Sequence, residues 1–140
     1  MRYTTRILML TLTLLPMLAA AQIQSDTKIV VKVPFDFVIG SKIVPAGQLT
    51  VQPLAMEKDV LTMRNRDAKL NIFANSSRIE TKQPSATTGP VFHKYGNRYF
   101  LWKVNVEGSQ TAYRLPESPA EAELRAQNVQ ATEEILLALK

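Results

Sequence analysis

Cysteine is absent from all 140 residues, and the chain holds one histidine and one tryptophan. The missing thiols exclude disulfides, cysteine nucleophiles and lipid attachment through a cysteine, so stability must come from packing. With His93 alone, the ligand sets of tetrahedral zinc and of copper are also excluded. No Asp-rich calcium loop, glycine-rich phosphate loop or nucleophile elbow occurs. The sequence therefore calls for no cofactor and no metal. Charge is scattered, with no run of five like charges. No apolar run reaches the roughly 20 residues that cross a bilayer.

The longest apolar run lies at the start of the chain. Arg2 and Arg6 precede Ile7 to Leu18, and Ala19-Ala20-Ala21 follows as a small-residue cleavage site. That pattern predicts a secretory signal peptide over 1–21 and a product that is periplasmic or extracellular. What remains has no transmembrane segment and is one domain by length. Without Arg2 and Arg6 the formal net charge of +5 falls to +3. A mildly basic exported domain suits anionic envelope polymers. Export makes nucleic acid an unsuitable partner.

Residues 22–117 read as a β-domain. Ile29, Val31, Val33, Phe35, Phe37 and Ile39 fall on every second position, the period of a strand with one buried face. Pro34 inside that run predicts an edge or a bulge. Gly40-Ser41 suits a two-residue hairpin that pairs Ile39 with Lys42 and Phe37 with Val44. Pro45-Ala46-Gly47 suits a type I turn. Leu49 and Val51 alternate before Pro53 stops the strand. A hairpin around Asn65 to Ala68 would pair Met63 with Leu70 and Leu61 with Ile72. Thr81 to Gly89, rich in Ser, Thr, Pro and Gly, reads as the longest loop.

Gly96-Asn97 predicts a third hairpin, pairing Tyr95 with Arg98, His93 with Phe100 and Val91 with Trp102. Strict alternation then puts Phe100, Trp102, Val104, Val106 and His93 toward the core. It puts Tyr99, Leu101 and Lys103 outward, with Phe92 and Lys94 opposite them. A last strand covers Gln110 to Leu115. Residues 118–140 read as a helical tail. Ser118 caps, Pro119 takes the first helical position, and Glu121 sits where a capping-box carboxylate belongs. Leu124 is the one large apolar residue of that helix, which predicts a largely exposed segment. Thr132 would cap a further turn carrying Ile135, Leu136 and Leu139. The expected fold is mainly β: about seven short antiparallel strands in a sandwich or partly open barrel, then a C-terminal helix.

Chemistry on this chain is thin. His93 is the one group suited to acid–base work near neutral pH, and a small hydrolase would have to use it, with Asp36 and Ser109 as conceivable partners. The carboxylates Glu57 with Asp59, and Glu80 with Glu107, have no motif that selects them. Nothing assembles a catalytic set, so the reading is non-enzymatic. The outward Tyr99 with Lys94, Arg98 and Lys103, beside His93, would make an aromatic and basic binding surface. The expected function is a binding or interaction module at the cell envelope, with polysaccharide or another exported protein as partner. A hydrolase depending on His93 is the alternative.

Four segments carry a resemblance: Val33-Pro34-Phe35-Asp36-Phe37-Val38-Ile39-Gly40, Pro45-Ala46-Gly47, Val91-Phe92-His93-Lys94-Tyr95-Gly96-Asn97-Arg98-Tyr99-Phe100-Leu101, and Leu115-Pro116-Glu117-Ser118. In order and spacing, over most of 28–125, the chain resembles a family of small exported proteins of environmental bacteria that has no established activity. The resemblance implies a signal peptide, a β-rich body and a charged helical tail, with no catalytic residues to carry over. The stretch Ala131 to Lys140 departs from it, being more apolar than the family's charged ending.

Overall fold

The computed structural model describes residues 27–139. The expected signal peptide lies outside the described residues. Eleven strands and one helix follow in order: β1 (Ile29–Val33), β2 (Phe37–Ile39), β3 (Lys42–Val44), β4 (Gly47–Pro53), β5 (Val60–Asn65), β6 (Leu70–Asn75), β7 (Ser77–Glu80), β8 (Gly89–Tyr95), β9 (Arg98–Asn105), β10 (Thr111–Arg114), α1 (Pro119–Ala126) and β11 (Thr132–Ile135). One sheet runs β1-β4-β5-β6. The other runs β11-β8-β9-β10-β7, with the β2–β3 hairpin joined to β9. The named strands pair antiparallel except at Val38 with Phe100, where β2 meets β9 in parallel, and an isolated parallel bridge joins Ser85 to Glu107. The sheets do not close into a barrel.

The alternating apolar residues of both sheets meet in one core. Val31, Leu49, Val51, Leu61 and Met63 of the four-stranded sheet share it with Phe37, Phe92, Leu101 and Val104 of the larger one. Phe92 stands edge-on to Phe37 at 5.1 Å and to Phe35 at 5.2 Å. Each fully buried phenylalanine contributes about 2–3 kcal/mol of burial, and the edge-to-face contacts add to it.

The first apolar run serves both sheets. Its alternation continues unbroken, yet β1 ends at Val33 and β2 starts at Phe37. Pro34 cannot donate to a ladder, so the chain leaves one sheet there and joins the other. The Asp36 carboxylate accepts from the Ala46 amide at 2.8 Å and pins this corner. The first hairpin has the expected register. The second is shifted: its loop is 66–69, so Met63 pairs with Ile72 and Asn65 with Leu70. Asn65 sets that register. Its buried amide accepts from Asp67 N and Ala68 N, both at 3.1 Å, and donates to the Pro45 carbonyl at 2.6 Å. An Asx turn of this kind starts after the asparagine and so moves the loop by one residue.

The third hairpin holds the main correction. Tyr95 pairs with Arg98 and His93 with Phe100 as expected, but Val91 pairs with Lys103. Trp102 is an extra residue, a β-bulge. The bulge inverts the alternation along β9. Leu101 and half-buried Tyr99 face the core before it, and Val104 and Val106 face the core after it. Phe100 and His93 therefore lie on the opposite face from the one expected, and Trp102 is half-buried there. Leu101 and Phe92, expected outside, are 4% and 0% exposed.

The tail is corrected too. Ser118 caps α1 and Pro119 opens it as expected. Thr132 to Ile135, however, is a strand along β8, not a second helical turn. The extended path continues beyond it: Leu136 N donates to Pro90 O, Ala138 N to Thr88 O and Leu139 N to Val30 O. Gly89 makes room for this segment. Its φ is +152°, and a Cβ there would stand 1.9 Å from the Leu136 carbonyl oxygen.

Candidate functional site

α1 is held to the larger sheet by a carboxylate. Its first-turn Glu121 is 4% exposed and is the one fully buried residue of the helix. Ser118 Oγ accepts from the Glu121 amide at 3.2 Å, which orients the first turn. The side chain does not return to the cap. Glu121 Oε1 instead meets His93 Nδ1 at 2.5 Å and accepts from the Tyr95 hydroxyl at 3.1 Å. Burial, and then the charge and hydrogen bond of Glu121, push the Tyr95 phenol above its ordinary 10.0. A carboxylate accepts, so in this contact Nδ1 of His93 is the donor when Glu121 is ionised. Nε2 then remains, with no partner among the described residues.

A cleft of about 350 Å³ opens beside this clamp. His93, Trp102, Arg114, Glu117 and Arg125 line it. The imidazole stacks on the indole with centroids 4.5 Å apart and planes 25° off parallel. Arg125 is tied to Glu117 at 2.8 Å. Arg114 is exposed and has no ion pair among the described residues. The cleft thus offers a half-buried indole, an imidazole nitrogen and a free guanidinium. Its only lining hydroxyl, that of Tyr95, donates to Glu121.

The expected hairpin surface is rearranged. Tyr99 is half-buried and stacked on Phe35, with centroids 3.6 Å apart and planes 9° off parallel. It therefore presents no open ring face on that side. Lys94 Nζ lies 5.4 Å from the Tyr99 ring, the Arg98 guanidinium 5.3 Å from Phe100, and Lys103 Nζ 4.2 Å from Trp102. These cations rest on their own hairpin's rings. Of the five candidates, His93 lines the cleft and Lys103 reaches the cleft's tryptophan. Asp36 is bound to the Ala46 amide, and Ser109 Oγ donates to Thr111 O, so neither joins His93.

Sequence reasoning missed Glu121, Arg114 and Arg125 as members of one site and assigned Trp102 to the core face. The Ser-Pro-x-Glu spacing placed Glu121 on a first helical turn, but nothing local says which strand that turn meets. Among the described residues, no group of three His, Asp or Glu side chains is placed to hold a metal ion. No helix among them is long and apolar enough to cross a membrane. Comparison with protein-family models, with curated proteins and with solved structures finds no match.

Proposed function

We propose that this protein is an exported, non-enzymatic binding module of the cell envelope, and that the cleft beside α1 holds its ligand, a polysaccharide segment. The observation that carries this reading is the convergence of the Trp102 ring, the His93 imidazole and the unpaired Arg114 on one cleft. An aromatic ring beside fixed donors suits a sugar, whose C–H face packs on the ring while its oxygens accept hydrogen bonds. The Glu121 clamp fixes the His93 ring before any ligand arrives, which lowers the ordering cost of binding.

Trp102 is the only tryptophan, so its emission reports on this cleft alone. Titration with solubilised envelope polysaccharide should change that emission saturably, and Arg114→Gln should weaken the response about tenfold, the loss of one charge-assisted contact. An emission unchanged at saturating polymer, or a response indifferent to Arg114→Gln, overturns the reading.

One observation favours the alternative. His93 has a carboxylate on Nδ1 and a free Nε2, the arrangement of a general base that activates water. That reading requires turnover of an ester or glycoside substrate, abolished in His93→Ala.

A further inference from the structure

We infer that the outer face of the four-stranded sheet is a second binding surface, and that it takes a linear polysaccharide bearing carboxylates. This surface lies on a different sheet from the cleft and does not depend on it.

The burial pattern fixes which side chains form this face. Ile29, Val31 and Val33 of β1, Leu49 and Val51 of β4, and Leu61 and Met63 of β5 point inward. The alternate positions must then point out. They form cross-strand rows. Lys32 stands opposite Gln48, and the Arg66 amide bonds the Gln48 carbonyl at 3.1 Å. Thr50 lies between Val30 and Arg64, and Arg64 is opposite Asn71. Gln52 is opposite Thr62, and Thr62 is opposite Phe73. A groove of about 380 Å³ runs over these rows, lined by Lys28, Gln48, Gln52, Thr62, Arg64 and Arg66 among others.

Three features point to a ligand. First, Lys28, Lys32, Arg64 and Arg66 bring four positive charges to the face, and none has an ion pair among the described residues. Asp67, next to Arg66 in the chain, has one oxygen engaged by the Gln48 amide at 2.9 Å. Second, Gln48, Thr50, Gln52 and Thr62 put amides and hydroxyls on the floor between the cations, beside Val30. Such groups pair with sugar hydroxyls in both directions, as donor and acceptor. Third, Phe73 stands 62% exposed at the edge of the same face, a ring on which a pyranose can lie. The lysines sit on β1 or just before it and the arginines on β5 or just after it, two strand spacings or roughly 10 Å apart, so they flank a chain instead of gripping one point. Lipid headgroups would suit the charge, but Val30 on β1 and Phe73 on β6 stand at opposite sides of the face and make no continuous apolar surface to insert. Single-stranded nucleic acid would call for several stacking rings, and the face has one.

The test is affinity electrophoresis and titration calorimetry of the protein with polygalacturonate. The comparison polymer is the fully methyl-esterified form, which keeps the backbone and loses the charge. Polygalacturonate should bind, the ester should not, and binding should weaken as salt rises. Arg64→Gln with Arg66→Gln should weaken it about tenfold, the loss of two exposed charge contacts. Both side chains are exposed, so an unchanged circular dichroism spectrum and melting temperature will show the variant folded. Phe73→Ala should weaken binding severalfold without changing its salt dependence. The emission of Trp102, the single tryptophan, should not change as polygalacturonate binds, which separates this surface from the cleft. Equal binding of the esterified polymer overturns the inference. So does unaltered binding by the double variant, or a preference for phosphatidylglycerol vesicles or oligothymidine over polygalacturonate.

Discussion

Replacing Glu121 by alanine should release α1 while both sheets stay folded. The helix has eight residues, well below the roughly 12–15 at which an isolated helix becomes even marginal in water. It stays in place through its contacts with β8. Its apolar contacts are small: Leu124 is half-buried and contributes about 1 kcal/mol. The carboxylate contributes more. Without it, the Tyr95 hydroxyl and His93 Nδ1–H lose their acceptor, and each unpaired buried group costs about 1–3 kcal/mol. His93 keeps 22% of its side chain exposed, so water recovers part of that loss. A total of about 3 kcal/mol is expected, which exceeds the remaining hold on the helix. Amide hydrogen exchange over Ala122 to Gln127, followed alongside urea unfolding, reads this directly. Protection in the helix should fall by about a hundredfold, as about 3 kcal/mol requires, while the β-sheet amides lose far less. Glu121→Gln keeps an acceptor for Tyr95 and should fall between. Helix protection within about threefold of the parent in Glu121→Ala would refute the clamp.

Three other outcomes follow from the same geometry. The raised phenol of Tyr95 means the folded chain holds a proton above pH 10.0 that the unfolded chain has released. Stability present below pH 10.0 should therefore decline as pH rises through the folded value, and Tyr95→Phe should remove that part of the decline in a pH series of urea midpoints. Asn65→Ala deletes three hydrogen bonds at a buried turn and should cost about 2–3 kcal/mol in urea unfolding; Asn65→Asp keeps the oxygen that accepts from both amides but sets a second acceptor against the Pro45 carbonyl, and should also destabilise. Gly89→Ala drives a Cβ into the Leu136 carbonyl and should speed exchange of the Leu136 and Ala138 amides, at a cost above about 1 kcal/mol.

The strands were legible where one face is wet. The alternation from Ile29 to Ile39 and the Gly40-Ser41 turn yielded the right pairs because period and turn chemistry agree there. What they concealed was the change of sheet at Pro34, since a strand that switches sheets keeps its inward face throughout. β9 misled for two reasons. It buries residues on both faces, Leu101 toward the opposing sheet and Phe100 on the other side, and apolar residues occupy every position from Tyr99 to Trp102. The extra residue at Trp102 then shifts the phase, which no count of period two registers. The last strand read as helix because Ile135, Leu136 and Leu139 fit a helical stripe as well as an extended segment. Only the bonds to Pro90, Thr88 and Val30 decide between them. The site was half legible. His93 stood out as the one histidine, and Ser118 and Glu121 as a helix start, but their meeting depends on how the tail folds back over β8.

The proposed binding without turnover in the cleft is open to direct observation. The indole N–H of Trp102 and the imidazole of His93 are single probes in this chain, and heteronuclear NMR can follow both as envelope polysaccharide is added. Binding without turnover should shift the two signals together, saturate them at one ligand concentration and keep them shifted while the polymer remains intact. Signals that do not move, or polymer that is cleaved by the protein and spared by His93→Ala, would contradict it.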